Sequence, residues 1–277
     1  MPWRWRPAVL IALAHAVLAL ALCWDLVLLG RVPYVRDVSF LYVPDFAFLA
    51  QSLAQHVWPL WNPLVDGGRP VLFGYLPDVA LVALCGPLGA ARAEVPLHLW
   101  WAALGASTLA YVRGRAPVAA WATGAFYAAS GYVLSCGNIF PLLQGAAWAP
   151  WVVAAGLRVL ERPGRRAVAA LAVAAALVSG SMVAELILQA GVLIVVLGAR
   201  RGDPARWGRL ALAGTLSLPL AAPVLAGAWA MAVDSAREAR FAPEVALSWS
   251  LHPMELPALV LPRYFGDMHT FSDVGFW

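Results

Sequence analysis

Long apolar runs separated by short polar stretches dominate the chain. Seven runs are of a length that can cross the roughly 30 Å of hydrocarbon in a bilayer, alone or as a tight helical pair. The pattern therefore predicts an all-α polytopic membrane protein, with a single membrane domain over residues 1–277. The expected transmembrane helices lie at about 8–29, 95–112, 117–134, 141–157, 167–180, 183–198 and 210–231.

Arginines between the apolar runs predict the topology, because cytoplasmic loops are enriched in basic residues. If every basic cluster is cytoplasmic, an even number of crossings must separate each cluster from the next. The N-terminus is then cytoplasmic, residues 167–198 form a hairpin, and residues 30–94 and 232–277 lie outside. The apolar stretch 71–90 must not span, and its prolines and Asp78 favour an interfacial or re-entrant segment. The clusters are Arg4 and Arg6; Arg113 and Arg115; Arg158, Arg162, Arg165 and Arg166; and Arg200, Arg201, Arg206 and Arg209.

Composition agrees with a membrane protein. The chain is 62% hydrophobic and 12% charged, with a mean hydropathy of +0.74, well outside the range of soluble domains. The net charge of +4 comes from arginines in short loops, so nucleic acid is not an expected partner. Three cysteines lie far apart, at positions 23, 85 and 136, and indicate neither a disulfide framework nor a metal site.

An amphipathic pattern begins at Asp45, in the first external segment. Apolar residues follow at positions 46, 49, 53, 57 and 60, opposite polar residues at 51, 52, 55 and 56. With Trp58 and Trp61 as anchors, this predicts a helix on the membrane surface. Pro44 suits its first turn, and Asp45 suits the positive end of its dipole. Asp45 is therefore either a helix-start or surface residue, or part of a site.

Asp37 precedes this helix and lies shortly beyond the first predicted span. From the residues alone it is either a solvated carboxylate that pairs with Arg36 or Arg31, or a catalytic acid. The later stretch "WPLWNPLVDGGRP" is rich in turn formers, with Asn62 before a proline. Arg69 in this turn is either structural or binds an anionic head group through its guanidinium.

Several phrases in serial order resemble the YfhO-like family of bacterial membrane proteins, within the GT-C superfamily of membrane glycosyltransferases. The resemblance covers most of the chain from about residue 36 to 267. It implies a GT-C-like module of about seven transmembrane helices, with a large first external loop that contains interfacial helices. The phrases are "RDVSFLYVPD", "WPLWNPLVDGGRPV", "FYAASGYVLSCGN", "AWAPWVV" and "SLHPMELPALVLPRYFGD".

The resemblance also implies an activity. GT-C enzymes transfer a sugar from a polyprenyl-phosphate carrier on the outer side of the membrane, and Asp37 matches their general base. Glu185 is the candidate for the second acid that several relatives carry, since "SCGNIF" has none. The expected partners are the lipid donor, the bilayer of the bacterial inner membrane and a cell-envelope glycan or glycolipid acceptor, with no cofactor or metal. The residues expected to bind substrate are Arg69, Asp45, Arg237, Tyr42 and Asn62.

The alternative function is non-catalytic, namely the transport or flipping of a lipid-linked substrate. Inverted repeats or several acids buried in helices would favour it, and the sequence pattern shows neither. The chain stops at "FSDVGFW" without a closing helix or basic tail, which favours a protein that is incomplete at its C-terminus.

Overall fold

A computed structural model describes residues 5–34, 37–65, 67–162, 164–198, 204–233, 242–247 and 253–259. The chain divides into two compact units, Met1–Ala230 and Met231–Trp277. The described residues are mostly helical, as the sequence predicts, with one short pair of strands between residues 61 and 70.

Ten helices are described in the first unit, the last of which runs two residues past its boundary. They are α1 (Trp5–Leu22), α2 (Trp24–Val27), α3 (Val43–Ala54), α4 (Leu76–Val112), α5 (Pro117–Ala128), α6 (Gly131–Ser135), α7 (Phe140–Glu161), α8 (Arg165–Gly180), α9 (Ala184–Gly198) and α10 (Pro204–Ala232). A π-helical turn, Val38–Tyr42, leads directly into α3, and a 3₁₀ turn, Cys136–Asn138, follows α6. Strands β1 (Trp61–Asn62) and β2 (Arg69–Pro70) pair antiparallel.

Three of the described helices are long and apolar enough to cross a membrane: α4, α7 and α10. This indicates membrane association. Helices α8 and α9 divide residues 165–198 around a turn, but at 16 and 15 residues each is shorter than the roughly 20 residues of an ordinary span. Seven crossings therefore remain a prediction.

Several predicted boundaries differ from the structure. The first helix is interrupted at Cys23, whose φ of −122° and ψ of 30° are not helical. The helix predicted at 117–134 ends at Ala128, because Ser130 turns to an extended conformation and its hydroxyl accepts from the Val133 N–H at 3.4 Å. The helix predicted to begin at 95 is part of the longer α4, which starts at Leu76 but is broken at Gly86.

Helix α4 is broken at Gly86, whose φ of 71° and ψ of 176° suit only glycine. On a straight helix Asp78 and Glu94 would lie about 24 Å apart. Instead both carboxyl groups contact Nε2 of Gln144, at 3.0 and 3.4 Å. The chain therefore reverses direction at Gly86, and residues 76–85 fold back beside the longer part of α4.

The core of the first unit lies around α4 and α7, with α1, α3 and α5 packed on α4 and with α8 and α9 packed on α7. Glycines on α7 allow α9 to approach closely, as is common between membrane helices. A Cβ built on Gly145 would lie 2.7 Å from Leu186, and Gly156 faces Ile194 in the same way.

The contacts of α1 show that it runs antiparallel to α4. Gly30, beyond its end, lies near the Arg92 guanidinium, while His15 Nε2 and Ser107 Oγ are hydrogen-bonded at 2.7 Å. Gly124 of α5 makes room for this bond, since a Cβ there would lie 2.7 Å from His15 Nε2.

Arginines from different basic clusters lie together at one end of the bundle. The Arg113 guanidinium, just after α4, pairs with Glu161 at the end of α7 at 3.0 Å. Arg206, at the start of α10, donates to the Leu160 carbonyl at 2.9 Å. The C-terminal ends of α4 and α7 therefore lie together with the N-terminal end of α10.

In the second unit the described elements are α11 (Pro243–Leu247) and a 3₁₀ helix, Pro253–Leu259. Arg237 falls outside the described residues, so its expected role in binding substrate stays a prediction.

Candidate functional site

Asp37 begins the helical segment that contains α3. Its backbone is already α-helical, with φ −59° and ψ −24°, and the completely buried Val38 fixes the next position. The carboxylate is half-buried and makes no hydrogen bond or ion pair with any described residue. A negative charge is favoured at this end of a helix. Asp37 is thus the N-cap residue of the π-helical turn, while Asp45 lies in the first turn of α3, as the sequence predicts.

Asp45 lies in the first turn of α3 and is held by the paired strands. Arg69 on β2 donates to its Oδ2 at 2.6 Å, and Asn62 on β1 donates to its Oδ1 at 3.3 Å. The Asn62 side-chain oxygen accepts from the Leu64 N–H at 3.0 Å, which fixes the orientation of its amide. Three residues predicted to bind substrate are therefore in contact, but with one another.

The turn between the strands brings Arg69 to this position. Gly68 has a φ of 107°, a backbone conformation that favours glycine. A Cβ there would lie 2.8 Å from the Trp61 ring, so only glycine permits the close approach. The Gly68 N–H also donates to the Val65 carbonyl at 2.8 Å and closes the turn.

Tyr42 connects the outer acids with the interior. Its ring stacks on Phe140 of α7, with centroids 4.7 Å apart. Burial, followed by the negative charges of Asp37, Asp78 and Asp45, raises the pKa of the Tyr42 phenol above its ordinary value. The phenol therefore stays neutral and can donate a hydrogen bond near all three carboxyl groups.

Beneath Tyr42, a buried chain of polar groups joins the two parts of α4 to α7. Gln144 Nε2 donates to both Asp78 oxygens at 3.0 Å and to Glu94 Oε2 at 3.4 Å. Glu94 Oε2 lies 3.0 Å from His98 Nδ1, one helical turn along α4. The other Glu94 oxygen is buried and has no partner among the described groups.

The chain continues to the aromatic residues of α7. The Tyr75 hydroxyl lies 2.8 Å from His98 Nε2 and accepts from Trp148 Nε1 at 2.8 Å. Trp148 packs edge-on against Trp101, with centroids 5.1 Å apart. Aromatic rings thus lie at this end of the chain.

This arrangement suits proton transfer and the binding of hydroxyl groups. Carboxyl, imidazole and phenol groups lie in one connected sequence from Asp78 to Tyr75. Within the part of the chain that the structure describes, no group of three or more His, Cys, Asp or Glu side chains is arranged to hold a metal ion.

Glu185 lies apart from these residues. It is exposed in the first turn of α9, and its charge acts on Tyr132, whose pKa is raised mainly by burial. No described contact joins Glu185 to Asp37, Asp45 or Arg69. The structure therefore brings together Asp45, Arg69 and Asn62, with Tyr42 and Asp37 beside them.

The sequence prediction missed the buried chain. Glu94 and His98 are four residues apart, a spacing that places two side chains on one helix face, and this was the available signal. Gln144 is the polar residue within the apolar stretch "FPLLQGAAWAP", which is typical of a buried group with a partner. The contact of Asp78 had no local signal, because it depends on the reversal at Gly86.

No family model, curated protein or solved structure matches the chain.

Proposed function

We propose that the protein is a membrane glycosyltransferase of the GT-C type, with Asp37 as the general base. One observation carries the proposal. Among the described acids of residues 30–94, Asp37 has neither a hydrogen bond nor an ion pair, whereas Asp45, Asp78 and Glu94 are all held by donors. A half-buried carboxylate without a partner is available to accept a proton from an acceptor hydroxyl.

The neighbouring groups support the same chemistry. An inverting transfer needs the base at the acceptor hydroxyl and donors or cations at the departing phosphate. Tyr42 supplies a neutral phenol donor near Asp37. The Arg69 side chain is 24% exposed, so its guanidinium can reach a phosphate while it keeps its pair with Asp45. Glu185 would act only if substrate bridges to α9.

In this proposal a polyprenyl-phosphate sugar is the donor and a cell-envelope glycan or glycolipid is the acceptor. The reaction takes place on the outer side of the bacterial inner membrane and includes no cofactor. Asp37 removes the hydroxyl proton as the acceptor oxygen attacks the anomeric carbon, and the lipid phosphate leaves.

The test is sugar transfer in membranes that contain the full chain and a radiolabelled polyprenyl-phosphate sugar. Asp37→Asn should lower transfer by at least about 100-fold, the smaller contribution of a general base, without lowering the amount of protein. Asp25→Asn is the matched control, because among the described groups the Asp25 side chain accepts only from the neighbouring Leu26 N–H, at 3.0 Å. Equal activity in wild type and Asp37→Asn would reject the assignment.

The buried chain favours a second candidate, transport or flipping of a lipid-linked substrate. Asp78 and Glu94 are two acids held inside a helical bundle with His98 beside them, and such groups are typical of proton-coupled movement. In liposomes this function predicts translocation of the lipid-linked sugar without an acceptor, and its loss in Asp78→Asn. Transfer that needs Asp37 in the absence of translocation supports the glycosyltransferase.

A further inference from the structure

A groove of about 660 Å³ runs along the bundle. Its floor is formed by α4 and α7, and its walls by α5 and α9. On α9 the lining extends from Leu186 to Leu197, about 16 Å along the helix axis. Leu193 and Leu197 are 48% and 41% exposed, which shows that the groove is open along this side.

The two ends of the groove differ in charge. Arg113 and Arg115, in the turn between α4 and α5, line one end, and Tyr132 lines the other. Arg113 pairs with Glu161 at 3.0 Å, whereas Arg115 is exposed and has no ion pair with any described residue. No acidic side chain is among those lining the groove. An apolar channel therefore ends in an uncompensated positive charge.

We propose that this groove binds an anionic phospholipid of the bilayer. One acyl chain lies along α9, and the phosphate contacts Arg115 and Arg113. Guanidinium groups bind phosphate oxygens through paired hydrogen bonds, and the volume lies within the roughly 300–1,000 Å³ of small-molecule sites. A zwitterionic phospholipid would fill the apolar part equally well, but its ammonium group would offset part of the attraction between its phosphate and Arg115.

The arginine end of the groove, where the phosphate would bind, lies far from the proposed sugar-transfer site. Arg113 contacts Glu161 at the C-terminal end of α7, whereas Gln144 of the buried chain lies near its N-terminal end. Gln144 and Glu161 are about 25 Å apart along α7. The lipid would thus occupy the end of the bundle that carries the basic clusters.

The test is native mass spectrometry of the purified full chain in mixtures of phosphatidylglycerol and phosphatidylcholine. Wild type should retain one phosphatidylglycerol in preference to phosphatidylcholine. Arg115→Gln should lower that preference about fivefold, the effect of one basic residue near an anionic lipid. Gln189→Trp changes an exposed residue of the wall and should lower retention of both lipids. Arg158→Gln, an exposed arginine outside the groove, is the control and should have no effect.

Three outcomes would overturn the proposal: equal retention of the two lipids by wild type, an unchanged preference in Arg115→Gln, or an equal loss in Arg158→Gln. Added polyprenyl phosphate provides a further arm. If it displaces phosphatidylglycerol and does so less well from Arg115→Gln, the occupant is the carrier lipid and the phospholipid assignment is wrong. Unchanged melting temperatures of the variants show that each one is folded.

Discussion

The Gln144 side-chain amide contacts both carboxyl oxygens of Asp78 at 3.0 Å, across a sequence separation of 66 residues. This contact joins the folded-back arm of α4 to the N-terminal part of α7. Since the same nitrogen also donates to Glu94, one amide group is the hydrogen-bond donor for two carboxyl groups.

Gln144→Leu should therefore lower the free energy of unfolding by about 2–3 kcal/mol, because buried acceptors lose their donor. The measurement is the unfolding midpoint of the full chain in detergent, followed by tryptophan fluorescence. Gln51→Leu replaces an exposed glutamine on α3 and should change stability by less than about 0.5 kcal/mol. Equal effects of the two variants would contradict the importance of the buried contact.

The pair of Arg69 and Asp45 should contribute measurably to stability. Their side chains are 24% and 17% exposed, so we expect a coupling of about 1–2 kcal/mol, between the values for surface and buried pairs. Arg69→Gln, Asp45→Asn and the double variant form the cycle, with unfolding in detergent as the measurement. The more exposed pair of Arg113 and Glu161 is the comparison and should couple more weakly. A zero coupling for the first pair would contradict the prediction.

Gly124 should not tolerate a side chain. A Cβ there would overlap the Ser107 hydroxyl and the Ala103 carbonyl and would lie 2.7 Å from His15. Gly124→Ala should therefore lower the free energy of unfolding by about 1–3 kcal/mol. Gly214→Ala is the control, because no atom lies within 4 Å of a Cβ at that position. This control should be neutral or stabilising, since alanine favours helix. If Gly124→Ala were as stable as wild type and kept the hydrogen bond between His15 and Ser107, the prediction would be wrong. Helix α5 would then be able to move away from α1 and α4 without cost.

The raised pKa of Tyr42 predicts a loss of stability at alkaline pH. Below the ordinary tyrosine pKa of about 10 the phenol is protonated in both folded and unfolded chains. As the pH rises above that value, the unfolded chain releases its proton first, and stability falls by up to about 1.4 kcal/mol per pH unit. The loss continues until the pH passes the folded pKa.

Tyr42→Phe removes the titrating phenol. The free energy of unfolding should therefore fall less steeply with pH in the alkaline range. The measurement is unfolding in detergent as a function of pH above 9. Tyr34→Phe, at a residue that is 79% exposed, is the control variant. An identical slope in wild type and Tyr42→Phe would mean that Tyr42 is not held neutral by its surroundings.

The hydrophobic pattern predicted the helical class and the approximate positions of the long helices, because both depend on local sequence. Pro44 likewise predicted the first turn of α3. Asp45 also lies in the first turn of α3, as predicted. The sequence did not predict the π-helical turn, Val38–Tyr42, that precedes this helix. A π-helical turn has no distinct local pattern, and its position depends on packing around Val38 and Tyr42.

The candidate site was predictable only in part. Asn62, Arg69 and Asp45 were selected singly, and the structure shows them in contact. Their mutual pairing depends on a strand register that two-residue strands do not specify in sequence. Asp78 and Glu94 meet through one backbone reversal, and a contact between such distant positions has no signature in periodicity.

Because the chain reverses at Gly86, a small rotation there moves the far end of residues 76–85 by a larger distance. Asp78 lies eight residues from the joint, about 12 Å along the helix axis. A rotation of about 10° at this one glycine would move the carboxyl group by about 2 Å, enough to break a hydrogen bond of 3.0 Å to Gln144. The contact of Asp78 and Glu94 through Gln144 thus depends closely on the backbone angles of Gly86.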